Sequence, residues 1–108
     1  MDNIVETVRF KLKEGTDVQT FLAAAEGTLP YISGCEGFVY RSLSLNEETQ
    51  EWTDIVYWTN LANAQAASNN FMQDAGAQKM VSHIDGATLV MAHESVKMSV
   101  MGECVESA

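Results

Sequence analysis

The chain has 108 residues, 46% hydrophobic and 19% charged, the make-up of one globular domain with a modest core and not of a disordered or fibrous chain. Fifteen acidic against six basic residues give a formal net charge of −9, which argues against nucleic acid or an anionic membrane as a partner. "MDNIVETVRF" carries an early acid and no apolar run, so neither signal peptide nor membrane span is expected. Cys35 and Cys104 stand far apart without a CxxC, so neither a disulfide framework nor a metal site is expected, and a reducing cytoplasm is the expected location.

Ile4 to Leu12 alternates, with Val8, Phe10 and Leu12 on one side and Thr7, Arg9 and Lys11 on the other, the pattern of a half-covered strand. The period changes at "EGTDVQ", where Thr16 is the expected N-cap and Gln19 completes a capping-box pattern. Val18, Phe21, Leu22, Ala25 and Leu29 then recur at helical spacing, and Pro30 ends the helix. Phe38 to Leu45 and Trp52 to Trp58 read as two strands joined by the short polar "NEETQE", hence a hairpin. Asn60 is the expected cap of a helix through "LANAQAASNNF", and Asp74 that of a short third helix. Thr88 to about Val100 alternates as the last strand, with Val90, Ala92, Val96, Met98 and Val100 on one side and Leu89, Met91 and His93 on the other. Residues 1–101 form the expected single domain and 102–108 an expected disordered tail.

The order βαββαβ, with an extra short helix before the last strand, predicts an α+β ferredoxin-like domain with a four-stranded antiparallel sheet. Strands one and three are its central neighbours, and strand four lies beside strand one. With the helices on one face, the other carries Ile55, Tyr57, Val90, Ala92 and Val96 beside Thr7 and Arg9. That is a large apolar area to leave wet, and a homodimer formed back to back is expected to bury it.

Three segments, "VRFKLKEGTDVQTFL", "YWTNLANAQAASNNF" and "HIDGATLVMAHESV", make the chain resemble the dimeric α+β barrel superfamily, which includes the antibiotic-biosynthesis-monooxygenase-like and stress-responsive barrel-domain proteins. The resemblance runs from about Ile4 to Val96 and is one of pattern. It implies a small cavity between helices and sheet that takes a flat, largely apolar or aromatic molecule. It further implies an activity that in several similar enzymes uses neither metal nor organic cofactor, and none is expected here. Heme-degrading members place an Asn on the first strand, a Trp in the second helix and a His ligand in the next short helix. Here those places hold Glu6 and Thr7, Ala66 and Ala67, and "DAGAQKM". The His that similar polyketide cyclases carry before the short helix gives way to Gly76 and Ala77.

If the first and last strands pair so that Val8 meets Met91 and Phe10 meets Leu89, Glu6 falls opposite His93. Asp54 shares a face with Val56 and Trp58, so Glu6, Asp54 and His93 are candidate catalytic residues at one end of an apolar cavity. A carboxylate beside an imidazole fixes its tautomer and strengthens it as a general base, and the second acid is a proton donor or a substrate hydrogen-bonding group. The candidate ligand-binding residues are Val8, Phe10, Tyr40, Val56, Trp58 and Met91. Structural readings stand beside these: Glu6 and His93 solvated near strand ends, Asp54 satisfying local donors, and His83 meeting helix carbonyls. The reading is a cofactor-independent monooxygenase-like or isomerase-like enzyme, or else a non-catalytic dimeric binding or stress-associated module.

Overall fold

The computed structural model describes residues 3–102. The alternating first segment is strand β1, Ile4–Leu12, and the other strands are β2, Phe38–Asn46, β3, Glu51–Trp58, and β4, Ile84–Ser95. They form one antiparallel sheet in the order β2-β3-β1-β4, so β1 and β3 are central as the ferredoxin-like pattern requires. Helices α1, Val18–Glu26, and α2, Leu29–Gly34, join β1 to β2, and α3, Leu61–Phe71, and α4, Ala75–Val81, join β3 to β4. Among the described residues no helix is long and apolar enough to cross a membrane. The expected tail lies outside the described residues apart from Gly102.

Three of the four helix starts use side-chain caps. Asn60 accepts from the Asn63 N–H and Asp74 from the Ala77 N–H, as their positions predict. The cap of α1 is Asp17, not Thr16: its carboxylate accepts from the Thr20 N–H at 3.0 Å, and Gln19 takes no part. Asp17 directly precedes the first helical residue, and its charge also suits the positive end of the helix. Pro30 likewise acts differently from expectation. The first helix already ends at Gly27, and Pro30 sits in the first turn of α2, where a missing N–H costs nothing. With α1 this short, Ala24 joins Phe21 and Ala25 in the core, while Val18 and Leu29 stay exposed.

Two irregularities decide which side chains meet. In β2, Phe38 pairs with Trp58 but Tyr40 pairs with Tyr57, so Val39 is an extra residue and the faces of β2 swap after it. Between β1 and β4 the expected pairs Val8–Met91 and Glu6–His93 form, but Phe10 does not meet Leu89. Lys11 pairs with Asp85, so β4 residues 86–89 stand against Phe10 alone. Thr88 Oγ1 accepts from the Lys11 N–H at 2.8 Å and closes the gap. At the other end β4 stops at Ser95, opposite Ile4, where β1 begins. Met98 and Val100, expected within that strand, are therefore exposed and outside it.

The helix-facing side of the sheet carries two apolar clusters. One gathers Phe10, Phe21, Ala24, Ala25, Trp52, Met80 and Ile84, and Phe21 meets the Trp52 ring edge to face at 4.9 Å. The other gathers Ile4, Val56, Trp58, Ala64 and Ala67. The α1–α4 contact that roofs the first cluster depends on a close backbone approach at Gly76, where a Cβ would run into the Gly27 carbonyl oxygen. Gly86 has nothing within 4 Å. We expect Gly76→Ala to destabilise the fold by about 1–3 kcal/mol through overpacking. Gly86→Ala should stay within about 0.5 kcal/mol of wild type. Denaturant midpoints of the two variants check the contrast.

Candidate functional site

A cavity of about 300 Å³ opens between the two apolar clusters and borrows walls from both. Its floor is the inner face of the sheet, with Val8 and Phe10 from β1, Val56 and Trp58 from β3, and Met91 from β4. Its roof comes from Ile32 of α2, Ala67 and Phe71 of α3, and Met80 of α4. The alanine-rich sequence of α3 helps to make this space. Ala64 and Ala67 are the residues it buries against the sheet, and their single methyl groups leave volume above Trp58 and Val56 unfilled. Tyr31 pins the roof, its hydroxyl donating to the Ala67 carbonyl at 2.6 Å. Burial, then the neighbouring Cys35, pushes that phenol up to about 12, so it remains a donor at ordinary pH.

Four polar side chains meet the cavity wall, in two groups. Glu6 is buried, and its carboxylate accepts from the Trp58 indole N–H at 3.1 Å and the Ser68 hydroxyl at 3.2 Å. His93 stands next to it with Nε2 3.7 Å from Glu6 Oε2, too long for a hydrogen bond. That Nε2 is buried and has no hydrogen-bond partner. The pairing of β1 with β4 therefore brings Glu6 and His93 together as the sequence suggests, with Glu6 on the cavity wall and His93 beside it, outside the lining.

Asp54 lies in the second group. Val8 pairs with Asp54 and Glu6 with Val56, so the two acids occupy diagonal positions about 7–8 Å apart. Asp54 is not a free second acid. Arg41 grips it with Nε at 3.0 Å from Oδ1 and Nη2 at 2.7 Å from Oδ2, with side chains only 8% and 10% exposed. Nη1 of Arg41 also donates to Thr28 Oγ1 at 2.7 Å, whose hydroxyl passes on to the Ala25 carbonyl at 2.6 Å. Buried charges persist only when paired and bonded in this way. The sequence reading missed Arg41 because simple alternation from Phe38 turns it outward; the extra residue at Val39 turns it in. An acid on an apolar face with no cation in its own strand was the available signal.

Of the expected ligand-binding residues, Val8, Phe10, Val56, Trp58 and Met91 line the cavity. Tyr40 does not. It pairs with Tyr57 on the opposite face of the sheet and is 56% exposed, again because of the Val39 bulge. Ser68 and Arg41 are polar lining residues that sequence reasoning passed over. Among the described residues no group of three His, Cys, Asp or Glu side chains is placed to hold a metal ion, since Asp54 is committed to Arg41 and apart from Glu6 and His93.

No protein-family model matches the chain, and no curated protein is similar to it at a significant level. Solved structures are similar in fold. A variant of SnoaB, a cofactor-independent oxygenase from Streptomyces nogalater, superposes with a TM-score of 0.74 at 16% identity, over 93% of this chain and 98% of that one. A proposed antibiotic biosynthesis monooxygenase from Bordetella bronchiseptica gives 0.67 at 20% identity, over 94% and 100%. Another from Bacillus cereus gives 0.64 at 20%, over 95% and 99%. The ferredoxin-like α+β fold expected from the sequence is thus the one observed, and these structures share it.

The Arg41–Asp54 pair makes a stability prediction. Arg41→Met leaves a buried carboxylate without its cation and should cost about 3–5 kcal/mol. Adding Asp54→Leu should recover most of that loss, because the orphaned charge goes with it. Urea unfolding of the single and double variants measures both values.

Proposed function

We propose that the protein is an enzyme of the monooxygenase-like or isomerase-like kind that binds a small, flat, largely apolar molecule in this cavity. Glu6 removes a proton from the bound molecule. One observation carries the reading: an apolar cavity of about 300 Å³ whose wall bears one carboxylate with no cation on it, backed by an imidazole nitrogen that has no other partner. His93, the base the sequence suggests, does not line the cavity, and here it takes the supporting role beside Glu6. Trp58 and Ser68 hold the carboxylate in one orientation, while its remaining lone pairs can accept the proton. Arg41 and Asp54, already paired, form a fixed polar wall. Proton removal is the step shared by both reaction types: an isomerase-like enzyme returns the proton elsewhere, and a monooxygenase-like enzyme presents the electron-rich anion to dioxygen. The names of the Streptomyces, Bordetella and Bacillus structures favour the second.

The test uses a carbon acid of suitable shape, 2-tetralone deuterated at C1, with loss of deuterium followed by NMR. Wild type should speed the exchange, and Glu6→Gln should lower the enzymic rate by about 10²–10⁴-fold, the usual worth of a positioned base. His93→Ala should reduce it less. Equal rates in wild type and Glu6→Gln would sink the assignment of Glu6. One observation favours the alternative, a non-catalytic binding module: both oxygens of Glu6 already accept hydrogen bonds, as a structural acid's would. That module would bind 2-tetralone and leave its exchange rate unchanged.

We further propose that the protein works as a homodimer formed through the outer face of the sheet. That face presents Val5, Tyr40, Ile55, Tyr57, Val90 and Ala92, with Val90 64% exposed. Covering it gains about 25 cal/mol per Å² of apolar area removed from water. Native mass spectrometry should find a dimer, and Val90→Lys should shift it toward monomer. A wild-type monomer at micromolar concentration would refute the assembly.

A further inference from the structure

Arg41 has more to give than the protein accepts. A guanidinium offers five N–H donors. Nε and Nη2 serve Asp54 at 3.0 and 2.7 Å, and Nη1 serves Thr28 at 2.7 Å. Nη2 is also directed at the Met80 thioether, with Sδ 3.7 Å away. A thioether is a weak acceptor, and Arg41 and Met80 both line the cavity. Any ligand that brings an oxygen atom to this point replaces a poor acceptor with a good one, in surroundings too dry for water to compete on equal terms.

The balance of charge selects the kind of oxygen. The cavity wall carries two carboxylates, Glu6 and Asp54, and one guanidinium whose charge Asp54 already matches. An anionic ligand would add a further buried negative charge with no cation left to meet it. A neutral carbonyl adds none. We propose that Arg41 is the specificity-determining donor of the cavity, binding the carbonyl oxygen of an uncharged aryl ketone in place of the Met80 thioether, while Asp54 turns carboxylate ligands away. This deepens the reading of the cavity given above and rests on it, but it does not depend on Glu6 acting as a base.

Isothermal titration of the intact protein with three probes of similar shape tests it: 1-tetralone, tetralin, which lacks the oxygen, and 1-naphthoate, which carries a charge. The ketone should bind at least about tenfold more tightly than tetralin, the value of a hydrogen bond to a charged donor, and more tightly than 1-naphthoate. The Arg41→Met, Asp54→Leu double variant should bring 1-tetralone and tetralin to equal affinity. The infrared carbonyl stretch of 1-tetralone bound to wild type should fall, as it does on accepting a charged hydrogen bond. Equal affinities in wild type, tighter binding of 1-naphthoate than of the ketone, or a preference that survives in the double variant would each overturn the role of Arg41. If that variant does not fold, the wild-type carbonyl stretch decides, and an unshifted stretch overturns it. These failures leave the Glu6 reading intact. Failure of all three probes to bind overturns the cavity reading together with this one.

Discussion

An acid on the apolar face of a sheet has to be answered, because a carboxylate taken out of water is tolerated only with a cation or several donors against it. Two such acids sit on the inner face here, on neighbouring central strands, and the fold answers them differently. Asp54 receives Arg41 across the β2–β3 ladder, a bidentate pair anchored to α1 and α2 through Thr28 and the Ala25 carbonyl. Glu6 receives only neutral donors, an indole from β3 and a hydroxyl from α3, with an imidazole close by. One acid is thereby spent on structure, and the other faces the cavity.

The cavity and this asymmetry arise from the same packing choices. Large rings fill the space over one half of the sheet, where Phe10, Phe21 and Trp52 meet edge to face. Over the other half α3 presents alanines, which bring its backbone near the sheet but leave room beside Trp58. The volume falls where the two clusters meet, and the two polar groups lie side by side on its floor, on diagonal positions of β1 and β3. The wall thus holds hydrogen-bond acceptor oxygens at Glu6 and hydrogen-bond donor nitrogens at Arg41.

The long-range order of the chain was legible because it follows from periodicity and caps. Alternation over Ile4–Leu12 and Trp52–Trp58, and the Asn60 and Asp74 caps, are local signals that tertiary packing did not need to override. The pairing of Val8 with Met91 could be supposed from the sequence because it sets two apolar residues opposite each other, and Glu6 meets His93 in the same register. Local competition was harder to read. Thr16 and Asp17 both have capping side chains, and which one caps depends on where α1 starts, a matter of a single residue.

Amino-acid order by itself determined the α+β class, the strand order and the apolar alternation that puts Val8, Phe10, Val56, Trp58 and Met91 on one face, while the meeting of Glu6 with His93 was only one register it allowed. Tertiary structure alone decided the partner of Asp54 and the outward turn of Tyr40. The physical reason is that an extra residue in a strand reverses its faces from that point on. The bulge at Val39 has no signature in hydrophobic alternation, because Phe38, Val39 and Tyr40 are all apolar enough to sit on either side. Once Phe38 packs on Trp58 and Tyr40 on Tyr57, Arg41 has to point inward, and the acid waiting there closes the site.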